Sequence, residues 1–185
     1  MKAFIRTAGI VLGHISPCAC FPQYFAPLGP GLGGEQAWDM LAADGRLYIA
    51  GAFSGTTDTS VFSRRVISWN GTAWEPVGCG VFACDAPHVW GGGLPARSLA
   101  YWQEDLYASG DFHSIGDPSM EFIARFNGTE WEVVGGGMDG PVRSLRAYPD
   151  GLYAAGWFNQ AGGTPAEGLA RWLDDGKLEF LGRAD

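Results

Sequence analysis

Leu152-Tyr153-Ala154-Ala155-Gly156-Trp157-Phe158 is the stretch that decides the fold, because the chain carries it three times. Leu106-Tyr107-Ala108-Ser109-Gly110-Asp111-Phe112 lies 46 residues before it, and Leu47-Tyr48-Ile49-Ala50-Gly51-Ala52-Phe53 another 59 residues before that. A second motif follows each copy. Ser68-Trp69-Asn70-Gly71-Thr72-Ala73-Trp74 matches Arg125-Phe126-Asn127-Gly128-Thr129-Glu130-Trp131, and Arg171-Trp172 with Asp174-Asp175-Gly176 continues the series. Each unit closes on a glycine four residues after its Trp, at Gly78 and Gly135; in the last unit Leu178 takes the Trp place before Gly182. Self-similarity at such spacings marks units that bury their faces only by stacking on neighbours.

The third unit is the cleanest and reads as four short strands. Strand A covers 142–148, Pro149-Asp150-Gly151 turns, and strand B covers 152–156. A Gly-rich loop over 160–165 leads to strand C at 168–172, a turn at Asp174-Asp175-Gly176, and strand D at 178–181. Asp-Gly and Asn-Gly between strand-like runs are hairpin signals, because both positions tolerate positive φ. The composition agrees. Of 185 residues 29 are Gly, about twice the usual share, and 14% are aromatic. Few aromatics and low hydrophobicity are what disorder requires, so disorder is excluded. Collagen is excluded because the glycines have no three-residue period.

The run strand–Leu-Tyr–Gly-x-Phe–strand–Asn-Gly-Thr-x-Trp–Gly resembles kelch-type, galactose-oxidase-like β-propeller blades. It is closest to the Gly-x-Phe variant of bacterial secreted and surface proteins and fungal cortical polarity markers. The likeness covers residues 25–182 and departs in one respect: Gly-x-Phe replaces the kelch double glycine after strand B. It implies an all-β fold of four-stranded antiparallel blades. Phe25-Ala26-Pro27-Leu28-Gly29 falls on the pattern of Trp74-Glu75-Pro76-Val77-Gly78, so it reads as a strand D with no A or B before it. The expected division is a partial blade of outer strands over 1–29, then blades at 30–78, 79–135 with a loop insertion at 79–95, and 136–185. A competing reading of the start is a signal-like segment: Lys2 and Arg6 precede a mildly apolar stretch broken by Gly9, Gly13 and His14. About three and a half blades make an incomplete or open propeller, since closed rings take roughly four to eight. The chain is then a piece of a longer protein, or two chains share a ring by self-association through open blade faces, or the arc stays open.

Function is less legible. With net charge −8 and two lysines, the surface repels phosphate backbones and anionic membranes, so nucleic acid is not expected as a partner. No apolar run is long enough for a membrane span. Loops D–A and B–C lie on one face of a propeller, and the variation in loop length sits there. Gly78 to Leu106 is 28 residues against 17 from Gly135 to Leu152, the excess being about 79–95. Variable loops on a fixed scaffold carry function. Asp85, His88 and Trp90 in this insertion, with Asp111 and His113 at the neighbouring B–C loop, are the candidate ligand-face residues. Cys79 and Cys84 are spaced for a small loop disulfide in an oxidising compartment, whereas Cys18 and Cys20 are too close for a relaxed bridge. A zinc site from the four cysteines would need an unusual C-x-C…C-x4-C spacing.

Other motifs find plainer explanations. Asn70-Gly71-Thr72 and Asn127-Gly128-Thr129 are glycosylation sequons, but they recur at one turn position, which hairpin chemistry explains. The periodic rings Trp69, Trp74, Phe126, Trp131 and Trp172 read as inter-blade packing rather than a sugar-stacking array. No nucleophile elbow, phosphate loop or convergent set of catalytic groups is recognisable. The expected function is a non-catalytic binding or scaffold module, extracellular or at the cell surface, with a protein or carbohydrate ligand and no cofactor. The alternatives are a propeller-based carbohydrate-active hydrolase or oxidase, or a fragment of a longer propeller protein without independent function.

Overall fold

The computed structural model describes residues 26–78, 94–112, 122–173 and 178–180. They form strands and turns with no α-helix. In chain order the strands are β1 (Leu32–Ala43), β2 (Arg46–Thr56), β3 (Val66–Trp69), β4 (Trp74–Pro76), β5 (Ala96–Trp102), β6 (Asp105–Gly110), β7 (Ile123–Phe126) and β8 (Trp131–Val133). There follow β9 (Val142–Tyr148), β10 (Gly151–Gly156), β11 (Gln160–Ala161), β12 (Thr164–Pro165), β13 (Leu169–Trp172) and β14 (Leu178–Phe180). They pair as three four-stranded antiparallel sheets, β1-β2-β3-β4, β5-β6-β7-β8 and β9-β10-β13-β14. Strands of the third unit fall within a residue of the ends read from sequence. The loop expected over 160–165 contains a small hairpin of its own, β11 paired with β12.

The sheets stack in series because their strands alternate apolar residues to both faces, which only a neighbour on each side can bury. Tyr48, Ala50 and Val66 of the first sheet pack against Leu99, Leu106, Ala108 and Ala124 of the second. The other face of the second sheet, with Tyr107 and Ile123, packs against Leu145, Leu152, Ala154, Ala170 and Trp172 of the third. The leading strands β1, β5 and β9 curl around one concavity of about 570 Å³.

Two devices recur along the stack of sheets. On the inner side, Leu99 N–H donates to Asp39 Oδ2 at 2.8 Å, and one sheet later Leu145 N–H donates to Ser98 Oγ at 3.1 Å. Ser98 Oγ in turn donates to Asp39 Oδ2 at 3.1 Å, so β1, β5 and β9 are joined by one chain of bonds. On the outer side, Trp74 Nε1 donates to the Leu28 carbonyl at 2.9 Å and Trp131 Nε1 to the Val77 carbonyl at 3.0 Å. Leu28 therefore stands to the first sheet as Val77 stands to the second, in agreement with the register read between 25–29 and 74–78. The glycine after each of these positions has left-handed φ (Gly29 +59°, Gly78 +57°, Gly135 +55°), and an aromatic ring of the next sheet covers it. The periodic rings thus serve packing: Trp69 meets Trp74 edge-on at 5.2 Å and Phe126 meets Trp131 at 5.3 Å.

Candidate functional site

The Gly-x-Phe motif builds one rim of the sheets, and each of its positions has a separate physical task. The Phe is a core plug: Phe53, Phe112 and Phe158 are all buried. The Gly allows close approach. A Cβ on Gly51, Gly110 or Gly156 would lie 2.1–2.2 Å from the carbonyl oxygen of Gln36, Pro95 or Pro141 on the paired leading strand. That approach accompanies a β-bulge in each leading strand, where Gly51 opposes Ala37, Gly110 opposes Ala96 and Gly156 opposes Val142 before the register slips. An extra residue in one strand leaves the ladder and re-aims its side chain. The re-aimed residues are Trp38, Arg97 and Arg143. The middle residue of the motif, Ala52, Asp111 or Trp157, sits beside them.

Together these positions form a ladder across all three sheets. The Arg97 guanidinium lies 3.9 Å over the Trp38 ring, and its Nε donates to Asp111 Oδ2 at 2.5 Å. Asp111 reaches on to the next sheet, with Arg143 Nη1 3.1 Å from its Oδ1. Arg143 in turn lies 4.5 Å over the Trp157 ring. The Asp111 side chain is 13% exposed and takes two guanidinium partners, so the ladder carries one net positive charge on a chain of net charge −8. Trp157 is 75% exposed. Its backbone is held nonetheless: its N–H donates to the Pro141 carbonyl at 2.8 Å, between the pinned Gly156 and the buried Phe158. Nearby, Asp139 Oδ1 accepts the N–H groups of Asn159 and Gln160 at 2.7 and 2.8 Å.

Of the residues singled out from sequence, Asp111 is in this rim. Asp85, His88, Trp90 and His113, and the cysteines Cys79 and Cys84, lie outside the described residues, as do Cys18, Cys20 and His14. Trp38, Arg97, Arg143 and Trp157 were missed. A signal for the arginines was there: Ala96-Arg97-Ser98-Leu99 and Val142-Arg143-Ser144-Leu145 repeat at the 46-residue offset. Among the described residues no group of three or more His, Cys, Asp or Glu could hold a metal ion. No helix among them is long and apolar enough to cross a membrane.

The opposite edge of the sheets holds the tight turns, several of whose charges are paired within the hairpins. Asn70 Oδ1 accepts the N–H groups of Thr72 and Ala73, and Asn127 Oδ1 those of Thr129 and Glu130. The Asn70 amide also donates to Glu75 at 2.5 Å and the Asn127 amide to Glu132, so both ends of each side chain hold the hairpin. The Arg46 and Arg125 guanidiniums, and after them these amides, hold the Glu75 and Glu132 carboxyls below their ordinary range. A hydrogen bond from Tyr153, helped by Arg171, does the same for Asp150. Burial pushes the Tyr107 and Tyr48 phenols up. Compared with protein-family models, curated proteins and solved structures, the chain matches none.

Proposed function

We propose that this chain is a non-catalytic binding scaffold assembled from kelch-type propeller blades and working outside the cell or at its surface. The observation that supports it best is the Trp38–Arg97–Asp111–Arg143–Trp157 ladder. The three sheets share one internal design, yet the Gly-x-Phe middle position differs in each (Ala52, Asp111, Trp157), and it differs on the edge that carries the unequal B–C and D–A connections. Constancy inside and variation along one rim is how a rigid scaffold presents recognition groups. Asp85, His88 and Trp90 belong to the same edge in this reading.

The test is to immobilise the full chain and titrate it with a panel of saccharides and extracellular matrix proteins, alongside a variant lacking 79–95 and an Asp111→Ala variant. Saturable binding with the probe recovered intact, weakened in either variant while its far-UV circular dichroism still matches the parent chain, is the expected result. Conversion of a saccharide probe, seen as new reducing ends or released peroxide, would replace the reading with an enzymatic one. Absence of binding by every probe would remove it.

A further inference from the structure

The structure assigns a carbohydrate-binding site to the rim around Trp157, with a pyranose ring stacked on the indole face that Arg143 leaves open. This inference rests on the reading of the chain as a binding scaffold and names its ligand class.

Packing accounts for the periodic rings, but it does not account for Trp157. Trp69, Trp74, Phe126, Trp131 and Trp172 recur in register and are engaged at sheet junctions. Trp157 stands where the other units have Ala52 and Asp111, and three quarters of its surface meets solvent. Leaving an indole in water forgoes the burial free energy of the largest apolar side chain. A large exposed aromatic group on a rigid rim is a candidate contact surface.

Its setting is pre-organised. The Pro141 hydrogen bond, the bulge at Arg143 and the buried Phe158 fix the backbone on both sides of the ring. The guanidinium at 4.5 Å orients the ring itself. Little ordering entropy is then lost when a ligand settles on it. Arg143 covers one face of the indole and the Asp111 carboxylate is engaged by Arg97 and Arg143, so the opposite indole face is what this rim leaves open to a ligand. The C–H face of a pyranose is flat and apolar, which suits an indole.

The experiment uses the full chain with short gluco-, galacto- and manno-oligosaccharides as probes, read by isothermal titration and by indole fluorescence. Trp157→Ala is expected to weaken binding about tenfold or more and Trp157→Phe by only a few-fold, with the melting temperature of both unchanged. Sedimentation of Trp157→Ala is expected to match the parent chain. Three results would overturn the site: no oligosaccharide binds, binding survives Trp157→Ala, or the substitution changes the oligomeric state, which would make the indole a contact between copies. Binding confined to protein probes would also overturn it while leaving the scaffold reading intact. Failure of every probe would sink both.

Discussion

At the residue scale, Gly29, Gly78 and Gly135 occupy one role with graded tightness. All three are left-handed, a conformation that costs an L-residue about 1–2 kcal/mol. An added Cβ would stand 3.5 Å from the nearest ring atom at Gly29, 3.0 Å at Gly78 and 2.5 Å at Gly135. Urea denaturation of the three Gly→Ala variants should therefore rank them in that order, with Gly29→Ala near 1 kcal/mol and Gly135→Ala beyond about 2 kcal/mol. A flat series would mean that the indoles move freely. The Asn70 and Asn127 side chains suggest a second residue-level outcome. Both are engaged at both ends in their turns, so the chain produced in a glycosylating secretory host should keep its unmodified mass. A glycan on either sequon, found by mass spectrometry, would contradict this.

At the element scale, the bond chain through Ser98 is the point where β1, β5 and β9 depend on one side chain. Removing its hydroxyl leaves the buried Leu145 N–H without its acceptor and Asp39 without one of its donors. Ser98→Ala should cost about 1–3 kcal/mol. Trp131→Phe, which keeps most of the ring but loses the donor to Val77, should cost about 1 kcal/mol by the same measurement. The third sheet departs from the pattern because Leu178 stands in the Trp place. Trp172 covers Gly135 instead, and its Nε1 finds no partner among the described residues. The strands, turns and core side chains of these sheets were readable from sequence, since a hairpin is written in local residue types: alternating apolar residues, then Asn-Gly or Asp-Gly. The bulges were not, because a bulge is a mismatch between two strands and neither strand shows it alone. Within β5 or β9 alone, nothing marks Arg97 or Arg143 as the residue set outside the ladder.

At the scale of the whole molecule, a residue's cost depends on its sheet's neighbours more than on its own type. Val66, Ile123 and Leu169 hold equivalent places opposite Ala50, Ser109 and Ala155. Val66 and Ile123 are fully buried under the following sheet, whereas Leu169 is 38% exposed on the last one. Ile123→Ala should therefore cost about 2–5 kcal/mol and Leu169→Ala less than about 1 kcal/mol, compared by thermal and urea unfolding. The pH range of stability should be bounded at both ends. Glu75 and Glu132 have folded values below the unfolded one, so their contribution is present above about pH 4.5 and is lost as the pH falls below it. It is small, because both carboxylates are solvated. Tyr48 and Tyr107 have raised folded values, so theirs is present below about pH 10 and is lost as the pH rises through the folded values. Melting temperature followed against pH should show both flanks, and Tyr107→Phe should shift the alkaline flank upward.

The residue order alone determined that the described residues are all-β, that their strands come in quartets and, in the third unit, where those strands begin and end. Those properties follow from backbone preferences and apolar periodicity, which act over a few residues. Only the tertiary structure decided that Gly-x-Phe is a close-approach bulge with a buried plug and a variable rim position. It also decided that Trp38, Arg97, Asp111, Arg143 and Trp157 stand in one line. Their contacts join residues of separate sheets, and pairing at that distance depends on strand register and sheet stacking, which no local stretch of sequence encodes.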